Sequence, residues 1–378
     1  MKIAFIAKRI SHNLGGAERV SLYLGKQLAE SGYDVHIITN YSDTPIEGVK
    51  LHQLKVRNWF SPWRLMSFQR KVKRMIESQK FDLVYSLCQV FPVDIYRVGD
   101  GVHQYWMKLQ YPNFFIRWVK YITSPVHLTM KWLENRIIRE GKSGLFITNS
   151  NLIKNQLMDY FDISEKRIKV IYNGVDHDTF NRNTKANREQ MREKHGIDKN
   201  EFVLLFVSNN WERKGLSTII ESIPKTGIGN VSLVVVGRGS SKRYLPIAKE
   251  CNINPSKLIF VGHTEEIEKY YGMSDALVLP SRYEPFANVC LEAMACGIPA
   301  VTTRSNGSYE VISDGNDGFI LDKWDDPEGL AHVIKQLYDN ASHKNMGNNA
   351  ALAAQKYTWK SHLEQTKNII DSLPVKKY

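Results

Sequence analysis

Residues 276–299 read ALVLPSRYEPFANVCLEAMACGIP, and this stretch decides the fold. It opens with a short apolar run of the kind that forms a strand buried on both faces of a sheet. A turn follows, because Glu284 precedes Pro285 and a residue before proline is pushed out of the helical conformation. A helix then begins near Ala287 and ends at Gly297, since glycine readily closes a helix. The stretch therefore predicts a strand, a turn and a helix, the repeating unit of a parallel α/β sheet.

The start of this predicted helix is suited to a phosphate ligand. The N–H groups of Ala287, Asn288 and Val289 would face a diphosphate, and the positive end of the helix dipole favours an anion. Glu284 lies before the helix and Glu292 inside it, so the two carboxylates have different roles. One can accept hydrogen bonds from sugar hydroxyls and the other from a ribose. The competing interpretation, a capping and a surface glutamate, fits less well because Glu292 stands among apolar residues.

The same alternation of apolar runs and amphipathic segments continues along the chain. The runs predicted as strands are 2–7, 34–39, 49–55, 81–87, 94–99 and 145–149 in the first half, and 168–172, 202–208, 231–236, 257–261, 276–280, 299–303 and 318–321 in the second. They predict an α/β protein with two Rossmann-like, doubly wound parallel sheets. A stretch rich in asparagine and aspartate over 172–188 marks the boundary. We expect domains over 1–172 and 173–356, and a helix over 357–378 that packs back toward the first domain.

Two loops after predicted strands carry groups suited to an anionic ligand. Gly15 and Gly16 follow the first strand, where two glycines let a ligand approach the backbone. A tight turn explains them equally well. Arg213 and Lys214 follow the strand 202–208, at the sheet edge where α/β proteins bind ligands. Two cations there suit a diphosphate, although a solvated loop is the simpler explanation for this motif in isolation.

The chain has 378 residues with 51 Lys and Arg against 39 Asp and Glu, a formal net charge of +12. This surplus implies an anionic partner such as nucleic acid, anionic lipid or a phosphorylated substrate. No apolar run reaches the 18 residues or so of a membrane-spanning helix, and the apolar start before Lys8 is too short for a signal peptide. Four scattered cysteines indicate neither a disulfide framework nor a zinc site, so a cytoplasmic location is expected.

Aromatic and basic residues are interleaved over 103–143. Part of this segment has helical spacing, with an apolar face and cations beside it. Such a mixture suits a helix at the surface of an anionic membrane. The alternative is that the apolar face packs into the domain core, as in most amphipathic helices. The candidate residues for contact with membrane or acceptor are Trp106, Lys108, Phe114, Phe115, Arg117, Trp118 and Lys120.

Together these motifs resemble the retaining GT-B glycosyltransferases of family 4, also called glycosyl transferases group 1. The run from Glu284 to Glu292 matches the E-x7-E element of that family. The other matching elements are Gly15-Gly16-Ala17-Glu18, Asn173-Gly174-Val175-Asp176, Arg213-Lys214-Gly215, Gly237-x-Gly239 and Gly307-x-x-Glu310-x-x-x-Asp314-Gly315-x-x-Gly318. The resemblance covers essentially the whole chain. It implies two domains facing across a cleft, the first binding the acceptor and the second the nucleotide sugar.

The resemblance also implies the roles of site residues. Lys214 and Arg213 would bind the diphosphate, Glu284 the sugar hydroxyls and Glu292 the ribose. Asp100 or His103 would touch the sugar from the first domain, and the sequence ranks neither above the other. The implied donor-binding residues are Gly15, Gly16, Arg213, Lys214, Glu284, Phe286, Ala287, Asn288, Val289 and Glu292, and the catalytic candidates are Asp100, His103 and Glu284. One departure is Ser208-Asn209-Asn210, where many members have an arginine, so the phosphate charge must depend more on Lys214 and Arg213.

The reaction implied by the resemblance is hexose transfer with retention of configuration and without a metal or other cofactor. Within the family the chain resembles glucosyltransferases of the lipopolysaccharide core, which work at the inner face of the cytoplasmic membrane. This implies UDP-glucose as donor and a lipid-anchored or phosphorylated saccharide as acceptor. Asp176-His177-Asp178 looks like the metal-binding DxD motif of a different glycosyltransferase fold, but it overlaps the element at 173–176, and no metal is expected.

Three other functions stay open from the sequence. The acceptor could belong to another cell-surface polysaccharide or glycolipid. A basic nucleic-acid-binding protein would explain the charge and the aromatic residues, but not the two carboxylates beside a phosphate site, so no nucleic acid is expected. A nucleotide-sugar epimerase of the same fold would have no use for the basic aromatic segment.

Overall fold

The computed structural model describes residues 1–10, 16–43, 45–56, 61–141, 143–339 and 343–374, with the backbone alone at 16–21 and 343–344. Within these residues the chain forms two compact α/β units. The first contains Met1–Tyr172 and the C-terminal segment from Lys360, and the second contains Asn173–Trp359. Each unit has its own parallel sheet, as the alternation of strands and helices predicts.

Seven parallel strands form the sheet of the first unit. They are β1 (Lys2–Ile10), β2 (Asp34–Ser42), β3 (Lys50–Gln53), β4 (Leu83–Ser86), β5 (Val93–Val98), β6 (Ser143–Thr148) and β7 (Ile168–Val170). Their order is β3-β2-β1-β4-β5-β6-β7. Ile3 of β1 lies opposite Val35 on one side and Leu83 on the other. The last strand was grouped with the runs of the second half, although it lies inside the predicted first domain of 1–172; it pairs with β6 and completes the first sheet.

The helices of the first unit connect these strands. They are α1 (Gly16–Glu30), α2 (Ser61–Gln79), α3 (His103–Gln110), α4 (Phe114–Thr123), α5 (Pro125–Glu134) and α6 (Asn151–Phe161), with a π-helical turn, Asn135–Arg139, directly after α5. Three of them, α3 to α5, lie between β5 and β6 and pack on one another. This crossover therefore contains the whole of the basic aromatic segment.

Six parallel strands form the sheet of the second unit. They are β8 (Phe202–Val207), β9 (Val231–Val236), β10 (Leu258–Gly262), β11 (Ala276–Leu279), β12 (Ala300–Thr303) and β13 (Gly318–Leu321), in the order β10-β9-β8-β11-β12-β13. The helices are α7 (Arg188–Lys194), α8 (Leu216–Ser222), α9 (Tyr244–Glu250), α10 (Ile267–Met273), α11 (Asn288–Ala295), α12 (Pro327–Asp339) and α13 (His343–Ala354). Every apolar run predicted as a strand overlaps a strand of the structure, so the predicted fold class is confirmed.

The C-terminal helix α14 (Trp359–Ser372) packs on the first unit. Its His362 side chain is buried, and Nδ1 lies 2.8 Å from the carbonyl oxygen of Tyr172. Burial lowers the pKa of His362 to about 3, and the Arg97 charge acts in the same direction, so this ring is neutral. The hydroxyl of Tyr33 also donates to Asp371 near the end of the helix.

A buried ion network joins three elements of the second unit. Asp275, just before β11, accepts hydrogen bonds from Arg188 and Arg192 of α7 and from the N–H of Val203 in β8. The Arg192 side chain is only 3% exposed. Removing the carboxylate would leave this guanidinium buried without its hydrogen-bonded counter-charge, which costs far more than losing an exposed pair.

We therefore expect Asp275→Ala to lower the free energy of unfolding of this unit by about 3–5 kcal/mol. The measurement is the denaturant midpoint followed by circular dichroism. Asp322→Ala is the matched control, because its pair with Arg304 leaves the aspartate side chain 83% exposed and should not shift the midpoint. Equal shifts for the two variants would contradict the prediction.

Candidate active site

The loops that follow β8 and β11 touch at the carboxyl end of the second sheet. These two strands are neighbours, although β9 and β10 lie between them in sequence, so the strand order reverses here. The N–H of Arg282 donates to the carbonyl oxygen of Arg213 at 2.9 Å. Gly215 has φ +79°, and a Cβ there would lie 2.2 Å from the carbonyl oxygen of Pro280. Open α/β sheets bind ligands at such a switch point.

Three charged side chains from these loops form one cluster. Lys214 Nζ lies 2.5 Å and Arg213 Nη1 lies 2.7 Å from the same oxygen, Oε2 of Glu284. The Lys214 side chain is 9% exposed and that of Glu284 15%. The sequence assigned the cations and the carboxylate to separate parts of a donor, whereas the structure brings all three together.

The cluster carries more positive than negative charge. Burial lowers the pKa of Lys214, and the Glu284 carboxylate acts against this effect. Burial alone would raise the pKa of Glu284, but the charges of Lys214 and Arg213 outweigh it and hold that pKa below its ordinary value. At neutral pH one carboxylate therefore faces two cations in a site with little water. A diphosphate would supply the missing negative charge.

Asn306 joins the start of α11 to the loop after β12. Its side chain is fully buried. Oδ1 accepts from the N–H groups of Ala287 and Ser308, each at 3.2 Å, and Nδ2 donates to Thr302 Oγ1 at 2.8 Å. The Ala287 N–H, which the sequence assigned to a diphosphate, is thus bonded within the protein. The N–H groups of Asn288 and Val289, in the first turn of α11, have no acceptor within the helix. They are therefore the groups that α11 can offer to a ligand.

The backbone of Glu284 is fixed on both sides by the same loop. Its N–H donates to the carbonyl oxygen of Ser305, and its carbonyl oxygen accepts from the N–H of Gly307, both at 2.9 Å. Glu284 and Asn306 also form a parallel β-bridge. These contacts set the position of the carboxylate independently of the ion pairs. This role of Asn306 could not be inferred from the sequence, because Glu284 and Ala287, which it joins to its own loop, lie about twenty residues away.

The remaining predicted donor residues lie on or beside α11. Phe286 is buried, while Glu292, in the second turn, is half-buried and accepts a hydrogen bond from the Tyr271 hydroxyl at 2.7 Å. Burial raises the pKa of Tyr271 well above its ordinary value, and Glu292 adds to the effect. Asn288 Oδ1 accepts from Asn173 Nδ2 at 2.6 Å, which attaches the element at 173–176 to the helix start. Of these, Tyr271 was missed from the sequence.

The predicted residues of the first unit follow β1 and β5. Gly15 lies outside the described residues, and Gly16 is the first residue of α1. Asp100 is exposed, directly after β5. His103 begins α3, and its ring stacks on that of His127 with 5.1 Å between centroids. Burial lowers the pKa of His103 to about 4, with His127 contributing, so the ring is uncharged.

The apolar face of α4 is exposed. Phe114, Phe115 and Trp118 are 73%, 67% and 51% exposed, whereas Tyr121 on the same helix is buried. For those three side chains, packing into the domain core, the alternative left open by the sequence, is therefore wrong. The other predicted contact residues range from half-buried to exposed. Trp106 and Arg117 are half-buried, and Lys108 and Lys120 are exposed.

The Asp176-His177-Asp178 motif is used inside its own loop. Asp176 accepts from the N–H of Asp178 and from the hydroxyl of Thr179. In the part of the chain that the structure describes, no group of three or more His, Cys, Asp or Glu side chains is placed to hold a metal ion. None of the described helices is long and apolar enough to span a membrane.

Two protein-family models match the chain in succession. The model of glycosyltransferase family 4 matches residues 14–179, and that of glycosyl transferases group 1 matches residues 187–353. The chain belongs to the GT-B glycosyltransferases of family 4, also called group 1. The first match covers most of the unit that contains α3 to α5, and the second covers the charge cluster and α11.

Individual proteins agree with this assignment. The chain is 26% identical over 358 residues to N-acetyl-alpha-D-glucosaminyl L-malate synthase of Bacillus anthracis, covering 89% of this chain and 88% of that protein. It is 23% identical over 328 residues to the lipopolysaccharide glucosyltransferase WaaG of Escherichia coli, covering 85% and 86%. These relatives are named for different products, so the family does not define the sugar or the acceptor.

Solved structures share the fold. A structure of WaaG, a glycosyltransferase involved in lipopolysaccharide biosynthesis, superimposes with a TM-score of 0.83 at 20% identity, over 98% of this chain and 100% of that one. The Anabaena protein HepE, solved in complex with UDP-glucose, gives a TM-score of 0.75 at 20% identity, over 99% and 100%. At these identities the likeness establishes the GT-B fold of the chain.

Asn306→Ala should weaken nucleotide-sugar binding about tenfold, a loss of ~1.4 kcal/mol. The reason is that the start of α11 and the Glu284 loop would lose their shared buried anchor. The measurement is the dissociation constant by calorimetry, with Asn349→Ala as control, since the Asn349 side chain donates to the exposed Asn316, away from the charge cluster. Unchanged affinity in Asn306→Ala would show that the anchor does not set the geometry of the site.

Proposed function

We propose that the chain is a retaining hexosyltransferase that moves glucose from UDP-glucose to a lipid-anchored saccharide such as the lipopolysaccharide core. The observation that carries this proposal is the cluster of the half-exposed Arg213, the buried Lys214 and the half-buried Glu284 beside the first turn of α11. Its excess positive charge matches a diphosphate, and its carboxylate matches sugar hydroxyls. In a site of this composition, the cations bind the diphosphate and the carboxylate binds the sugar, the two groups joined by the bond that breaks.

In the proposed step an acceptor oxygen bonds to the anomeric carbon while the bond from that carbon to the diphosphate breaks. The hydroxyl attacks from the face of the leaving group, so configuration is retained, and a phosphate oxygen takes its proton. Lys214, Arg213 and the N–H groups of Asn288 and Val289 stabilise the charge that develops on the diphosphate. This chemistry needs neither a metal ion nor the carboxylate nucleophile of retaining glycosidases.

The two glutamates divide the donor between them in this proposal. Glu284 uses one oxygen for both cations, which leaves its other oxygen for sugar hydroxyls. Glu292, oriented by the Tyr271 hydroxyl, accepts from the ribose. UDP-glucose is proposed because HepE, of the same fold, was solved with that donor and because WaaG is named a glucosyltransferase. The lipopolysaccharide acceptor follows from the name of WaaG in the same way.

UDP-glucose in the presence of EDTA should raise the melting temperature by several degrees, because a ligand that binds only the folded state stabilises it. Lys214→Ala and Glu292→Ala should abolish the rise. Lys242→Ala, which removes an exposed lysine of the same unit, should keep it. The measurement is thermal unfolding with a panel of nucleotide sugars. If no nucleotide sugar shifts the melting temperature, the proposed donor site is wrong.

We also propose that the enzyme acts at the inner face of the cytoplasmic membrane, where its acceptor is anchored. The support is the exposed face of Phe114, Phe115 and Trp118, next to the cations Arg117 and Lys120. Aromatic side chains enter the boundary between headgroups and acyl chains, and the cations attract anionic lipid. The exposed basic residues of α2 on the same unit add to this attraction.

A triple variant, Phe114→Ser, Phe115→Ser and Trp118→Ser, should bind anionic phosphatidylglycerol vesicles at least tenfold more weakly, because it loses the apolar area that enters the lipid. Vesicle co-sedimentation measures the binding. Leu352→Ser is the control, as Leu352 is 64% exposed on α13 of the second unit. Equal binding by the triple variant and the wild type would refute docking through α4.

A further inference from the structure

The start of α3 is held by a carboxylate from another helix. Glu134, the last residue of α5, is 1% exposed, and its two oxygens accept from the backbone N–H groups of His103 and Gln104. The residue before the helix, Val102, offers no side-chain cap. Glu134 therefore satisfies the first two N–H groups of α3, and its charge faces the positive end of the helix dipole.

Two further contacts attach the same turn of α3 to α5. Gln104 Nε2 donates to Asn135 Oδ1 at 3.1 Å, just after α5. The ring of His103 stacks on that of His127, with an interplanar angle of 28°. The loop from Val98 to His103 ends in this turn, so the contacts with α5 determine the position of the end of the loop. The same helix packs on α4, whose aromatic face is exposed.

We propose that Glu134 is a positioning residue for transfer, which holds the loop of Asp100 and His103 in the arrangement that the reaction requires. This inference rests on the proposed function and on the role that the family resemblance implies for Asp100 and His103. Glu134 itself touches no substrate in this scheme. It acts through the backbone of α3.

The surroundings of Glu134 make this contact sensitive to pH. No basic side chain of the described residues lies within ion-pair distance of it. Tyr96 of β5 and Tyr121 of α4 interact electrostatically with Glu134, and the stacked rings of His103 and His127 belong to the two helices that it joins; all four groups are uncharged at neutral pH. The cations Arg117 and Lys131 interact with Tyr121. Burial raises the pKa of Glu134 to about 7, although its hydrogen bonds act in the opposite direction.

Activity and stability should then change in opposite directions with pH. Above about pH 7 both carboxylate oxygens accept, and the turn is fully held. Below that pH one oxygen is protonated and the turn loosens. Stability changes in the opposite direction. The pKa of Glu134 in the folded state exceeds the ordinary value of 4.5, so the folded state binds this proton more tightly than the unfolded state does. The contribution of Glu134 to unfolding free energy therefore falls as pH rises through this window.

The test is the pH profile of kcat for the wild type, Glu134→Gln and Glu140→Gln, with UDP-glucose and a lipopolysaccharide-core acceptor. The glutamine retains the shape but can accept only one of the two N–H groups. We expect an acid limb near pH 7 in the wild type. In Glu134→Gln we expect no such limb and kcat lowered about tenfold or more at pH 8. Glu140→Gln, which removes an exposed carboxylate paired with Arg136, should match the wild type.

Three results would overturn the inference. One is a Glu134→Gln variant whose acid limb and kcat are the same as those of the wild type. Another is a wild-type profile that is flat from pH 6 to 8, which decides the matter even if the variant does not fold. The third is a loss of the thermal shift with UDP-glucose in a folded Glu134→Gln, since the donor residues lie in the other unit. If the wild type transfers no sugar at all, the proposed function fails and this inference fails with it.

Discussion

The contact between the buried ammonium of Lys214 and the carboxylate of Glu284 is the constraint on which the candidate site depends. A charge removed from water must be paired and hydrogen-bonded, or it shifts its pKa and becomes neutral. Here the pairing holds the pKa of Glu284 low, so the carboxylate stays ionised in a site with little water. Both loops must therefore approach closely, and Gly215 permits this because any larger residue would strike Pro280.

The parallel topology places this contact where it can act. All strands of a parallel sheet end at the same edge, and the order β9-β8-β11-β12 puts the loops after β8 and β11 side by side. The helix that follows β11 starts at the same edge, so its first N–H groups lie beside the cluster. Charge, helix dipole and free N–H groups are thus brought to one edge of the sheet by strand order alone.

The sequence was sufficient for the fold and for the residues that follow buried strands. Short strand-like runs, most of them nearly continuous and apolar, identified each strand of the described residues, and Glu284, Glu292, Arg213 and Lys214 stood out because each lies at a strand end or in a helix-start motif. It was not sufficient for contacts between distant residues. The pairing of Glu284 with Lys214 joins positions seventy residues apart, and nothing local distinguishes Asn306 or Glu134 from any buried polar residue. Such partners are set by packing, which a pattern of hydrophobicity does not contain.

Stability alone does not explain why the second unit gathers three charges around one buried ammonium. Apolar side chains of the same volume would hold the two loops together as well or better, because the desolvation of buried ions offsets most of their attraction. The cluster is not neutral, since two cations share a single oxygen of one carboxylate. An excess of cations also occurs at Asp275, so it is the position at the carboxyl end of the sheet, beside the first turn of α11, that indicates a ligand-binding cluster. One that is completed by a bound anion must carry the opposite charge beforehand, at a desolvation cost that the binding of a diphosphate recovers.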